Sequence, residues 1–275
     1  MIKYWGITIP PLTGNEKRNA YIYVPDSFKE DSSLRYPVLY MFDGHNVFFD
    51  SHATYGKSWG MLEYLEKNDT QLIVAAVECN HSPDNGRLRE YSPYDFDDPE
   101  FGKFKGKGII TLDWFCDSFK PYIDKHYPTI PDRDCTFIGG SSMGGLMSLY
   151  AVLAYNDVFS GALCMSPSIW VAPKKLQRLI ETADLAPVTD IYIDCGEFEG
   201  MGIHDKLNQY YRICDSLLRK EICVTSRIVP GGTHCEASWE KQLIFAIPTL
   251  MYRINEFLAE QEKKEDWTYD PEEPS

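Results

Sequence analysis

A chain of 275 residues, 44% hydrophobic and 25% charged, has the make-up of an ordinary soluble globular protein with apolar material for one large core, which sets aside disorder and a membrane-embedded class. Its formal net charge of -14 repels nucleic-acid phosphates and anionic lipid, and no basic patch offsets it. Neither a nucleic acid nor a membrane is therefore an expected partner.

The opening MIKYWGITIPPLTGNEKRNAYIYVP lacks a basic segment followed by an apolar stretch and a small-residue cleavage site. No later run approaches the roughly 20 apolar residues of a membrane-crossing helix. A cytoplasmic location is expected. Residues 3–9 and 20–24 read as strands joined by the turn-rich PPLTGNEK, and 36–42 follows with no room for a helix, which predicts an antiparallel start. A helix is expected at 56–67 and a strand at 72–78. The segment from Asn80 to Gly108 carries Pro, Gly, Asp and Arg without periodicity, and its length marks it as a functional loop.

Beyond it, strand-like runs at 136–140, 161–166, 190–196 and 222–229 alternate with helix-length amphipathic segments at 111–125, 143–155, 173–183, 204–220 and 236–262. This order predicts an α/β fold: a mostly parallel twisted sheet of about eight strands with antiparallel N-terminal strands and helices on both faces. The eight cysteines include no C-x-x-C pair, and Cys135, Cys164, Cys195 and Cys223 sit inside apolar runs, as reduced thiols acting as small hydrophobes do. Residues 1–264 read as one domain, and 265–275, EDWTYDPEEPS, as an acidic flexible tail.

The strongest chemical signal is CTFIGGSSMGGLMSLYAV, where Gly140, Ser142 and Gly144 fit G-x-S-x-G between a predicted strand and a predicted helix. In the α/β-hydrolase fold this element is a strained turn that exposes a nucleophilic serine, with small flanking residues letting the strand and helix pass closely. Ser141 is out of register with the second glycine. Neither G-x-G-x-x-G nor G-x-x-x-x-G-K-[ST] fits, so a nucleotide-binding turn is the weaker reading. The turn also sets the backbone N–H of Met143 at a helix N-terminus, as one donor to a developing oxyanion.

In this fold the partners follow in the order serine, acid, histidine. Two histidines come after Ser142. His204 opens a predicted helix, whereas His234 lies in PGGTHCEASW directly after the last strand, where a base is needed. The loop after DIYIDCG offers Glu197, Glu199 and, further on, Asp205 as the acid. Glu199 is preferred because it is far enough past the strand to turn back toward His234, and Asp194 inside the strand is a poorer candidate. The second oxyanion donor belongs to the loop after the third strand, YMFDGHNVFFD, where Gly44 permits the turn and His45 N–H follows, with Asn46 next. No H-E-x-x-H or paired Cys/His spacing occurs among the six histidines, so no metal and no cofactor is expected.

YPVLYMFDG, LREYSPY, FIGGSSMGGLMSLY, MSPSIW, IYIDCGEFEG and GGTHCEASWEKQL, in that order, resemble the putative esterase family of the α/β-hydrolases, which includes esterase D, enterochelin esterases, feruloyl and acetylxylan esterase modules and the mycolyl transferases. The resemblance implies a triad of Ser142, Glu199 and His234 and oxyanion donors at Met143 and His45. Many members carry Asp at the acid position, where this chain has Glu199. It also places Arg89, Glu90, Tyr91, Ser92 and Pro93 in a loop near the site: either Arg89 and Glu90 pair internally, or the loop contributes to the pocket. Trp170 is a candidate pocket wall beside Asn46 and Arg89, and Trp239 a candidate for the core.

The expected function is hydrolysis of a small-molecule carboxylic ester, on short acyl or feruloyl and acetyl esters of sugars, through an acyl-enzyme. The alternatives are acyl transfer or thioester cleavage by the same triad, and a non-catalytic scaffold binding a ligand or protein.

Overall fold

The computed structural model describes residues 1–98, 102–200 and 204–254. Eight strands form the main sheet: β1 (Ile2–Thr8), β2 (Lys17–Tyr23), β3 (Val38–Met41), β4 (Ile73–Val77), β5 (Thr136–Ser141), β6 (Gly161–Met165), β7 (Asp190–Gly196) and β8 (Cys223–Val229). Their order across the sheet is β1-β2-β4-β3-β5-β6-β7-β8. β1 pairs antiparallel with β2, and β2 antiparallel with β4. From β4 to β8 every pairing is parallel. The expected α/β-hydrolase sheet is present, and its parallel part directs all its strand C-termini to one edge.

The helices longer than one turn are α1 (Met61–Lys67), α2 (Gly86–Glu90), α3 (Gly108–Trp114, a π-helical turn Phe115–Phe119, then Lys120–His126), α4 (Met143–Ala154), α5 (Pro173–Thr182), α6 (His204–Leu218) and α7 (Glu236–Glu240). A further helical stretch covers 243–254. Strand residues alternate between two cores. Ile22, Tyr40, Ala75, Ile138, Cys164 and Ile193 pack under α3 to α6 on one face. Tyr21, Met41, Val74, Phe137, Met165 and Tyr192 pack on the other under α1 and residues 243–254. Because both faces are covered, the central strands β3 to β6 are buried throughout, the condition that made them read as unbroken apolar runs.

Three elements differ from expectation. The helix foreseen at 56–67 begins only at Met61, because Trp59 N–H bonds Asn46 O and Met61 N–H bonds Val47 O, tying the preceding residues to the loop after β3. The helix foreseen at 236–262 is interrupted at Lys241–Gln242, where Gln242 N–H reaches Trp239 O in a tighter turn. Residues 80–108 are not one loop: they hold α2 and a short hairpin of Phe96–Asp98 with Gly102–Phe104. Residues 255–275, and with them the expected tail, lie outside the described residues.

Candidate active site

Strand β5 ends at Ser141, α4 starts at Met143, and Ser142 between them has φ 59° and ψ -119°. A non-glycine residue in that region costs on the order of 1–3 kcal/mol and persists only when its surroundings hold it. Here Ser142 N–H bonds Met165 O at 2.9 Å on β6, and Ser142 O accepts Ser168 N–H at 3.0 Å and Leu146 N–H at 3.0 Å. Space requires glycine at 140, where a Cβ would lie 2.8 Å from the Gly144 carbonyl carbon, and leaves little at 144, where one would lie 3.1 Å from Phe42 Cβ. The spacing G-x-S-x-G is thus the sequence form of a strand and helix crossing at van der Waals limits.

Ser142 is part-exposed in a cavity of about 410 Å³ whose lining includes Arg87, Ser166, Trp170, Glu199 and His234. That volume lies in the lower range for small-molecule sites. His234 Nδ1 lies 2.7 Å from Glu199 Oε2, and the imidazole is 46% exposed while the carboxylate is 11% exposed. Glu199 sits in a single helical turn, Glu197–Gly200, directly after β7. Its other oxygen accepts the Ser166 hydroxyl at 2.7 Å and Gly196 N–H at 2.9 Å. Burial alone raises this carboxyl, but the donors from His234, Ser166 and Gly196 outweigh it and hold the group below its ordinary value. A carboxylate bound in this way orients the ring and leaves Nε2 as its remaining nitrogen. Ser142 Oγ lies 3.4 Å from Ser168 Oγ.

Of the other acid candidates, Glu197 accepts Gly231 N–H at 2.8 Å and so fixes the loop that carries His234. The side chain of Asp205 lies outside the described residues. Asp194 is buried in β7, where it accepts Ser166 N–H at 2.9 Å and the Tyr192 hydroxyl at 3.0 Å. Sequence reasoning missed Ser166, which links three parts: its hydroxyl donates to Glu199, accepts Trp239 Nε1–H at 2.9 Å, and its N–H holds Asp194. Trp239 is in the core, as expected, and its ring also meets the His234 ring edge-on at 5.2 Å.

Burial pushes the Asp194 carboxyl up to about 7, against the Ser166 and Tyr192 donors and with the Glu199 charge adding to the rise. The unfolded carboxyl titrates near 3.9, so between about pH 4 and 7 the folded chain holds the extra proton. Stability from this group is therefore complete below that window and is lost as pH rises through it. Asp194→Asn keeps an acceptor for Ser166 N–H and carries no charge. It is expected to raise stability at about pH 8 by up to a few kcal/mol and to leave it little changed at about pH 4. Denaturant unfolding of both proteins at the two pH values checks this. An equal change at both would rule out a neutral buried Asp194.

Met143, as the first residue of α4, has an N–H with no acceptor inside the helix. His45 is the middle residue of a 3-10 turn, Gly44–Asn46, that begins against α4: a Cβ on Gly144 would lie 3.5 Å from Asp43 Oδ2. That turn is tied to the cavity by Arg87, whose guanidinium grips Asp43 through two bonds of 2.7 and 2.6 Å. Burial opposes the charge on Asp43, but Arg87 outweighs it and holds the carboxyl below its ordinary value.

Two expected pocket residues lie elsewhere. Asn46 is spent on structure, donating to Glu236 Oε1 at 3.2 Å and accepting Thr54 N–H at 2.9 Å. Arg89 lines a separate cleft with Leu12, Thr13 and Glu16 and pairs with Asp84. Nor do Arg89 and Glu90 pair with each other: Glu90 is buried against Arg18 of β2 at 2.6 Å. Arg87, two residues earlier on α2, is the arginine in the cavity, since successive helical residues turn about 100° and those two point nearly opposite ways. Trp170 does line the cavity, braced edge-on by Phe96 at 5.9 Å.

Residues 13–250 match the model of the family described as "Putative esterase". A curated relative, the uncharacterized protein YbbA of Bacillus subtilis (strain 168), is 25% identical over 245 residues, covering 85% of this chain and 92% of its own. Among solved structures, a ferulic acid esterase superposes with TM-score 0.66 at 20% identity, covering 91% of this chain and 97% of its own. An IroE-like serine hydrolase from Shewanella oneidensis superposes with TM-score 0.71 at 17% identity, covering 94% of this chain and 80% of its own. At these identities the superpositions speak for the fold, and the match along the sequence for the family. Among the described residues no helix is long and apolar enough to cross a membrane. This chain belongs to the putative esterase family, on an α/β-hydrolase fold.

Proposed function

We propose that the protein is a serine carboxylic-ester hydrolase that forms an acyl-enzyme on Ser142, with His234 as base and Glu199 as the acid that orients it. The observation carrying this reading is the 2.7 Å contact of His234 Nδ1 with Glu199, in the cavity that Ser142 enters from its strained turn. With Nδ1–H held by the carboxylate, Nε2 takes the Ser142 proton as the hydroxyl oxygen attacks the ester carbonyl. The tetrahedral oxyanion is held by the N–H groups of Met143 and His45. Collapse expels the alcohol, which takes the proton from His234. Water then attacks the acyl-enzyme by the same route in reverse.

The substrate class is a small ester with a short or aromatic acyl group. A cavity of about 410 Å³ bounded by Trp170, Ile169 and Leu88 suits such a group, and Arg87 at its wall, its charge already paired with Asp43, suits a polar substituent. No metal or cofactor enters these steps. The test is a panel of acetyl, butyryl and feruloyl esters and a thioester, together with labelling by a fluorophosphonate. Stoichiometric labelling with turnover of at least one oxygen ester is expected. Absence of labelling supports a non-catalytic scaffold, and preference for the thioester or for a sugar acceptor over water replaces hydrolysis of oxygen esters.

A further inference from the structure

The loop after β3 and the loop after β4 bring together three side chains that the proposed hydrolysis does not use. One potential donor atom each from His45, Cys79 and His81 lie within 4.8 Å of one another. Cys79 Sγ is 3.9 Å from His81 Nδ1 and 4.0 Å from His81 Nε2, and the two imidazole rings meet at 4.7 Å between centroids, inclined by 69°. His45 is 6% exposed and Cys79 2%, whereas His81 is at the surface.

The His45 ring is the decisive part. Its Nε2 lies 3.0 Å from Thr54 Oγ1, and its Nδ1 is buried with no hydrogen-bond partner among the described residues. A buried polar atom left unpaired costs on the order of 1–3 kcal/mol, so such an atom calls for a ligand. A hydrogen bond at one ring nitrogen and an empty position at the other is also the arrangement of metal-bound histidines, where an oxygen on the far nitrogen sets tautomer and orientation. Burial holds the His45 imidazole below its ordinary value, against the pull of the Asp43 and Glu78 carboxylates.

We propose that His45 Nδ1, Cys79 Sγ and a ring nitrogen of His81 bind one Zn²⁺, with the fourth position open toward solvent beside His81. Zinc takes thiolate at about 2.3 Å and imidazole at about 2.0–2.1 Å, which puts sulfur and nitrogen about 3.6 Å apart in a tetrahedron. The observed Cys79–His81 separation exceeds this by a few tenths of an ångström, and rotation of the exposed His81 closes the remainder. Binding exchanges the Cys79 thiol proton, which leaves to solvent, for a zinc–sulfur bond. The expectation of no metal rested on longer spacing motifs, whereas the proposed ligands are a Cys-x-His pair and one histidine on the neighbouring loop. The ion would join the turn carrying His45 N–H to the loop of the adjacent strand, so it acts as a clamp behind the site.

The test does not depend on esterase activity. The purified chain is stripped with a chelator and titrated calorimetrically with ZnCl₂, then with Co²⁺ to read a thiolate-to-cobalt charge-transfer band. Wild type is expected to take one equivalent and show the band. Cys79→Ser and His81→Ala, each checked for wild-type circular dichroism, are expected to weaken Zn²⁺ by more than about 100-fold, and Thr54→Val by about 10- to 100-fold. Failure of wild type to bind, or undiminished binding in either ligand variant, overturns the site. In the latter case the metal is held by other thiols such as the partly exposed Cys116 or Cys235.

Discussion

Ser142→Ala is expected to lower kcat by about 10⁶-fold, because removing the nucleophile of a triad leaves only binding and oxyanion stabilisation. The fold is expected to remain. Ser142 donates its backbone N–H to Met165 and accepts from Ser168 and Leu146 through its carbonyl, none of which uses the hydroxyl. The strain also remains, since alanine at φ 59° meets the same clash as serine. Circular dichroism and melting temperature should therefore match wild type while the steady-state rate on the best ester of the panel collapses and fluorophosphonate labelling disappears. A variant that keeps more than about a thousandth of wild-type kcat would move the nucleophile elsewhere and remove the proposed mechanism.

The second large effect belongs to the acid. Glu199→Gln is expected to reduce kcat by about 10³- to 10⁴-fold, because a neutral amide no longer stabilises the imidazolium and its NH₂ group favours the wrong histidine tautomer. Ser166 and Gly196 both donate to the same carboxylate oxygen, so together they hold the single amide oxygen on their side and turn the NH₂ toward His234. Glu197→Gln is the control, two residues away on the same turn. Its role is to accept Gly231 N–H, which an amide oxygen still does, so its kcat should change less than about tenfold. Rates of both variants on one ester, with folding verified, separate the two glutamates. The reverse order of effects would assign the acid to Glu197.

The parts of the site that could be read from the chain are those governed by local geometry. A Cβ on Gly140 would strike Gly144 itself, so that steric demand acts within five residues and the spacing carries it, whereas Gly144 meets Phe42 from β3's end, which the spacing does not show. Glu199 and His234 each follow a strand of the parallel sheet closely, and a strand end is visible as the stop of an apolar run. Asp194 was set aside because it stands inside such a run, and nothing in the run reveals that it lies under Ser166, which comes 28 positions earlier. Arg87 and Arg89 were indistinguishable until α2 existed to turn them apart. Glu90 has its partner 72 residues away on β2, a distance that no neighbouring residue encodes.

By itself the sequence determined the class of fold, the order of the sheet's antiparallel and parallel parts, the family, and the three side chains proposed for catalysis. The first two follow from periodicity, and the family and the proposed catalytic residues from the strand-to-helix serine motif and the resemblance of six segments. Only the tertiary structure decided which arginine enters the cavity, that Asn46 and Arg89 stay out of it, that Ser166 joins Glu199 to Trp239 and Asp194, and that His45, Cys79 and His81 converge. These are contacts between elements. They depend on helix rotation and on how two loops leave neighbouring strands, quantities set by packing of the whole core rather than by the residues beside each position.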